Sequence, residues 1–117
     1  GVHVVYDGVG KSTFAKDLNI LRPRGFLVLF GGASGPVPPF DLIQLSQKGS
    51  LYITRPSLHH YIHTRAELEQ RSGDVMKMIV AGELKIRIHA SYPLAEVQQA
   101  HRDLEGRKTS GKLLLIP

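Results

Sequence analysis

"VHVVYDGVGKST", Val2 to Thr13, joins an apolar run to a Gly-x-Gly turn and the opening of a helix, and its reading decides the fold. The closing Gly10-Lys11-Ser12-Thr13 looks like the end of a nucleotide phosphate loop. A complete phosphate loop has a further glycine, separated from Gly10 by four residues, because a long arc of backbone N–H groups must wrap the phosphates before the lysine reaches them. Val5 stands at that place. Val5 also lies inside the apolar run, so the loop would hold only about three residues, too few to encircle a phosphate. The triphosphate reading therefore fails, and what remains is a strand that ends in glycines and leads into a helix.

The pattern repeats outward from there. From Ser12, the expected N-cap, Phe14, Leu18 and Leu21 recur at helical spacing, and Pro23 stops the helix near Arg22. "GFLVLF", Gly25 to Phe30, is a second apolar strand, followed by the loop "GGASGPVPP", Gly31 to Pro39. "FDLIQLSQKG" predicts a short helix with Asp41 as N-cap, and "SLYIT", Ser50 to Thr54, a third strand broken by Arg55-Pro56. Near-continuous apolar strands predict a parallel sheet covered on both faces. Strands joined by helical crossovers place their carboxyl ends, "DGVG", "GGASG" and "TRP", along one edge. In open parallel sheets ligands bind beyond that edge, where glycine lets them approach the backbone. The fold class is α/β.

The remaining residues differ in character. "TRAELEQRSGDVMKMIVAGELK" predicts a long helix with Leu68, Val75, Ile79 and Val80 inward, Met76 and Met78 filling core, and Gly82 as the stop. "KIRIHASYP" alternates like a half-exposed strand. "PLAEVQQAHRDLEG" is a helix with Leu94, Val97, His101 and Leu104 on one face, His101 reading as a core histidine, and "KLLLIP" is a closing strand.

Composition bounds the function. At 117 residues, 42% apolar and 21% charged, the chain suits one ordered domain, and no apolar run approaches the roughly 20 residues of a membrane helix. With no cysteine there is no disulfide and no thiolate metal site; together with the lack of a secretory signal this predicts a cytoplasmic protein. A net charge of +5 admits anionic ligands, but the fifteen Lys and Arg are scattered, and the densest cluster, "HRDLEGRK", carries two acids. "HHYIH" puts His59 and His63 at i, i+4, but the glutamate of the metalloprotease motif is missing and no third ligand is evident, so no metal site is expected. No nucleophile-elbow pattern supports covalent hydrolysis. Arg107 reads either as a solvated charge or as a cation that closes over an anionic ligand. The chain opens with Gly rather than Met and enters a strand at once, which predicts a piece of a longer protein.

Taken in order, "VVYDGVGKSTF", "LRPRGFLVLFGGASGPVPPFDL", "LSQKGSLYITRPSLHHYI" and "YPLAEVQQAHRDLEGRKTSGKLLLIP" resemble the C-terminal portion of the NADPH:quinone oxidoreductases, the zeta-crystallin-like branch of the medium-chain dehydrogenase/reductase superfamily. The resemblance implies the second half of a Rossmann-type doubly wound parallel sheet in residues 1–82. Residues 83–117 would be a tail that returns to a GroES-like catalytic domain absent from this chain, which makes autonomous activity doubtful.

It further implies NADPH as cofactor, a quinone as substrate, hydride transfer without zinc, and no acid or base in this chain. Gly8 and Val9 resemble the turn near the adenosine side. Phe30, Gly31, Gly32, Ala33 and Ser34 resemble contacts to the nicotinamide half, and Ile53, Thr54 and Arg55 the strand end that meets the carboxamide. Arg107 matches a basic residue near the cofactor phosphates. A homodimer would pair through Ser50–Thr54. The alternatives are a relative that reduces enones or aldehydes, and an RNA-binding crystallin-like module; for RNA, four Tyr and four Phe interleave only thinly with the basic residues.

Overall fold

A computed structural model describes residues 1–117. The chain forms two compact units, Gly1–His63 and Thr64–Pro117. The first contains β1 (Val2–Asp7), α1 (Phe14–Ile20), β2 (Leu21–Leu29), α2 (Ile43–Gln47) and β3 (Tyr52–Thr54), followed by a 3-10 turn at Leu58–Tyr61. The second contains α3 (Arg65–Val80), β4 (Ile88–Pro93), a 3-10 turn at Leu94–Glu96, α4 (Val97–Glu105) and β5 (Lys112–Ile116).

In the first unit the strands form the expected parallel sheet in the order β1-β2-β3. The core lies on one face of it. Leu27, fully buried, sits with Leu21, Leu29 and Leu51 under Phe14 and Leu18 of α1, and Val5, Val37, Phe40, Leu45 and Ile53 complete the cluster. Phe14 meets Phe40 edge to face, with ring centroids 4.9 Å apart. The opposite face is open, which corrects the expectation of strands buried on both sides. Val2, Val4, Tyr6, Phe26 and Tyr52 are exposed, and Phe26 stacks on Tyr52 at 4.6 Å. Strands laid down in one direction by right-handed crossovers put both connecting helices on the same face.

Two boundaries also differ from expectation. Thr13, not Ser12, precedes α1, because the Ser12 N–H is drawn instead to the Ser34 hydroxyl at 3.0 Å. Leu21 belongs to β2 rather than to the helix: Val2 pairs with Leu21 and Val4 with Phe26, so Arg22 to Gly25 bulge opposite His3. The bulge accommodates Pro23, which has no N–H for a regular ladder, and Arg24 at φ 61°.

The second unit contains another parallel pair, β4 with β5, linked through α4. Ala100 is buried, and Tyr92 on β4 donates to the Asp103 carboxylate on α4 at 3.0 Å. His101 is not a core residue: it is exposed at the rim of a shallow apolar hollow formed with Leu104, Leu113 and Leu115. Helix α3 has no buried residue. Leu68, Val75, Val80, Met76 and Met78, expected inward, are exposed, while Ile79 is half-buried. The helix is held by local interactions, a reciprocal Thr64–Glu67 capping box and an Arg65–Glu69 pair, which need no packed face.

Candidate functional site

The site forms where β1 and β2 end. Asp7, the last residue of β1, is buried, and its carboxylate organises the turn that follows. Oδ1 accepts the Val9 N–H at 2.6 Å and both oxygens accept the Gly10 N–H at 3.2 Å, while Oδ2 accepts the Thr13 hydroxyl at 2.9 Å. An aspartate that hydrogen-bonds the backbone two residues on is the side-chain equivalent of a tight turn. Gly10, at φ +88°, completes the reversal into α1.

The loop after β2 is laced onto this turn. Phe30 N–H donates to the Asp7 carbonyl at 2.9 Å, Ala33 N–H to the Gly8 carbonyl at 3.1 Å, and Ser34 N–H to the Val9 carbonyl at 2.8 Å. The Ser34 hydroxyl also donates to the Val9 carbonyl, at 2.8 Å. Lys11 N–H reaches the Gly35 carbonyl at 3.2 Å. The structure thus brings Gly8 and Val9 together with Phe30, Gly31, Ala33 and Ser34.

Two neighbouring glycines serve different ends there. A Cβ on Gly31 would lie 2.5 Å from the Gly8 carbonyl oxygen, so Gly31 is required by the contact of the two loops rather than by any ligand. A Cβ on Gly32 would meet nothing nearer than the Gly35 carbonyl oxygen at 3.6 Å, an ordinary contact, and Gly32 borders a space beside the two loops. That space is a cavity of about 290 Å³ lined by Leu29, Gly31, Gly32, Gly35, Pro36, Val37 and Arg55. The Arg55 Nη1 donates to the Leu29 carbonyl at 3.1 Å, tying the end of β3 to the end of β2 and placing a cation in the cavity wall. A cavity of this volume is smaller than a whole dinucleotide.

Ile53 packs against the core and not into the cavity, and Thr54 is exposed. Arg107 belongs to the second unit, where it follows α4 with a left-handed backbone, φ 54°. Asp7, Thr13, Pro36 and Val37 were missed in the sequence. For Asp7 a signal exists, an aspartate that immediately precedes Gly-x-Gly.

Burial alone would push the Asp7 carboxyl up, but the bonds from Val9, Thr13 and Gly10, with a contact from Asp17, hold it below the usual carboxylate value. Asp17, on α1, is pushed up to about 6 by burial, reinforced by the hydrogen bond and charge of Asp7. No group of three or more His, Cys, Asp or Glu converges to hold a metal; the His59 ring meets His63 edge to face at 6.1 Å and lies 6.2 Å from His60, a cluster of ring contacts rather than a ligand set.

A glycine-bound sheet edge of this kind matches a known family: residues 1–115 fit the model of the zinc-binding dehydrogenases. The chain is a zinc-binding dehydrogenase family member. It is 48% identical to quinone oxidoreductase 1 of Escherichia coli, with 99% of this chain and 36% of that protein covered. A mycobacterial quinone oxidoreductase superposes with a TM-score of 0.92 at 47% identity, over 100% of this chain and 36% of the other. The 2-haloacrylate reductase of a Burkholderia species is 42% identical over 100% of this chain and 35% of its own length. The family member described here therefore spans about a third of the length of these relatives. They bear out the resemblance to the C-terminal, Rossmann portion of quinone oxidoreductases.

Proposed function

We propose that this chain forms part of the cofactor domain of an NADPH-dependent quinone oxidoreductase. The observation that carries the reading is the cavity at the carboxyl ends of the parallel strands β2 and β3, walled by Gly31, Gly32 and Arg55. A structural neighbour at 47% identity and TM-score 0.86, the Escherichia coli quinone oxidoreductase, is described as complexed with NADPH. In this reading the nicotinamide half lies at the cavity mouth beside the loop Phe30, Gly31, Gly32, Ala33 and Ser34, of which Gly31 and Gly32 line the wall; Arg55 reaches the carboxamide from the end of β3, and Ile53 and Thr54, which do not line the cavity, set where that strand ends. The laced turn at Gly8 and Val9 lies toward the adenosine side, and Arg107 serves the phosphates as a cation on a fixed backbone.

When bound, the nicotinamide supplies a hydride, which the quinone takes up together with a proton to give the quinol. The residues of this chain do the positioning. The Asp7-anchored turn fixes one loop, the lacing fixes the second, and the bond from Arg55 to Leu29 fixes the third strand end. In this reading the hydride transfer proceeds without zinc. Residues 1–82 would complete the NADP-binding domain and residues 83–117 would return to the catalytic domain, in a cytoplasmic enzyme. β3 has a free edge, which in this reading pairs with the same strand of a second copy; a monomeric mass of the full-length protein by light scattering would overturn the homodimer.

The 2-haloacrylate reductase relative supports a second reading for the acceptor, an activated alkene in place of a quinone. Initial rates of NADPH oxidation by the full-length protein with a quinone and with 2-chloroacrylate separate the two. Turnover with the quinone alone is expected; turnover with the acrylate alone would overturn the quinone assignment, and no NADPH binding at all would overturn both.

A further inference from the structure

One half-buried acid is left unused by this reading. Asp17 sits one turn into α1, its N–H bonded to the Thr13 carbonyl at 3.0 Å, and its side chain turns under the strand end toward Asp7. Its Oδ2 is buried without any hydrogen-bond partner. Asp7 meanwhile already accepts from Val9, Gly10 and Thr13 and has only acceptor capacity to offer. Beside a carboxylate already supplied with donors, the buried Oδ2 of Asp17 is satisfied if the Asp17 carboxyl carries a proton to share.

We propose that Asp17 is protonated and donates to Asp7, making a carboxyl–carboxylate pair that locks the turn from Gly8 to Gly10. The residue acts through Asp7 and is a positioning residue. Ionisation sets a second negative charge beneath the turn, where no cation answers it. Of the charged and titratable groups on the packed elements, His3, Tyr6, Lys16, Arg22, Arg24 and Lys48, none acts on the Asp17 carboxyl; Asp7 alone does. Lys48 is engaged with Asn19 instead.

Stability held by the Asp17 proton is present in full below pH 3.8 and is lost as pH rises through about 6. The turn then loosens toward neutral pH, and any weakening of NADPH binding with it rests on the cofactor reading above. The test does not. In the full-length protein, the Asp17 carboxyl carbon followed by NMR is expected to titrate with a midpoint near 6. Melting temperature is expected to fall between pH 4 and 7 in the natural protein and to stay level in Asp17→Asn, whose amide donates to Asp7 without charge. A midpoint near the ordinary aspartate value, or the same pH profile for both proteins, overturns the proposal. Loss of NADPH binding with both results intact would refute the cofactor reading alone.

Discussion

Gly8 and Gly31 meet backbone to backbone where β1 and β2 end, so closely that a Cβ on Gly31 would stand 2.5 Å from the Gly8 carbonyl oxygen and 2.8 Å from its Cα. Neither neighbour can yield by rotating a side chain. Gly31→Ala must therefore part the two loops, at a cost of about 1–3 kcal/mol. Gly32→Ala meets nothing within 3.5 Å and should leave the melting temperature unchanged while narrowing the cavity. Thermal melts and NADPH titrations of the two variants are expected to separate, with stability lost in the first and affinity alone reduced in the second.

Asp7 supplies the acceptors that the turn depends on. Asp7→Ala leaves the Val9 and Gly10 N–H groups and the Thr13 hydroxyl without their buried partner, which should destabilise the fold by about 2–4 kcal/mol in denaturant unfolding. Because the folded carboxyl titrates below its ordinary value, the stability it contributes is present above about pH 3.8 and is lost as pH falls through the folded value. An acid melt of the natural protein should show this loss, and the same melt of Asp7→Asn should not.

Arg107 holds a left-handed backbone that glycine would adopt without strain. Arg107→Gly should raise stability by up to about 1 kcal/mol. If the guanidinium serves the cofactor phosphates, the same substitution weakens NADPH binding. Opposite signs in a melt and a binding titration are the expected outcome; unchanged affinity would leave Arg107 as a solvated charge.

Helix α3 depends on its ends. Thr64→Ala removes the hydroxyl that accepts the Glu67 N–H at 3.2 Å and should lower stability by about 1 kcal/mol, with local loss of protection in hydrogen exchange over the first turn of the helix.

The parallel sheet and the glycine-rich edge formed by its strand ends were legible in the sequence, because apolar runs, glycine breaks and helical periodicity are local signals and a right-handed crossover leaves little topological choice. The positions of β1, β3, β4 and β5 follow the same signals. Pro23 misled the end of α1, because a bulge rather than a helix stop absorbed it. What periodicity does not encode is the identity of the partner. The stripe of Leu68 and Val75 and the face of Val4 and Phe26 are apolar in the sequence yet exposed in the chain. The tertiary structure alone decided which glycine answers to a neighbouring loop and which borders the cavity, for both look the same in "FGGASG". It alone also brought Asp17 against Asp7, since the burial and charge that raise a carboxyl depend on distances set by packing between residues ten apart in sequence.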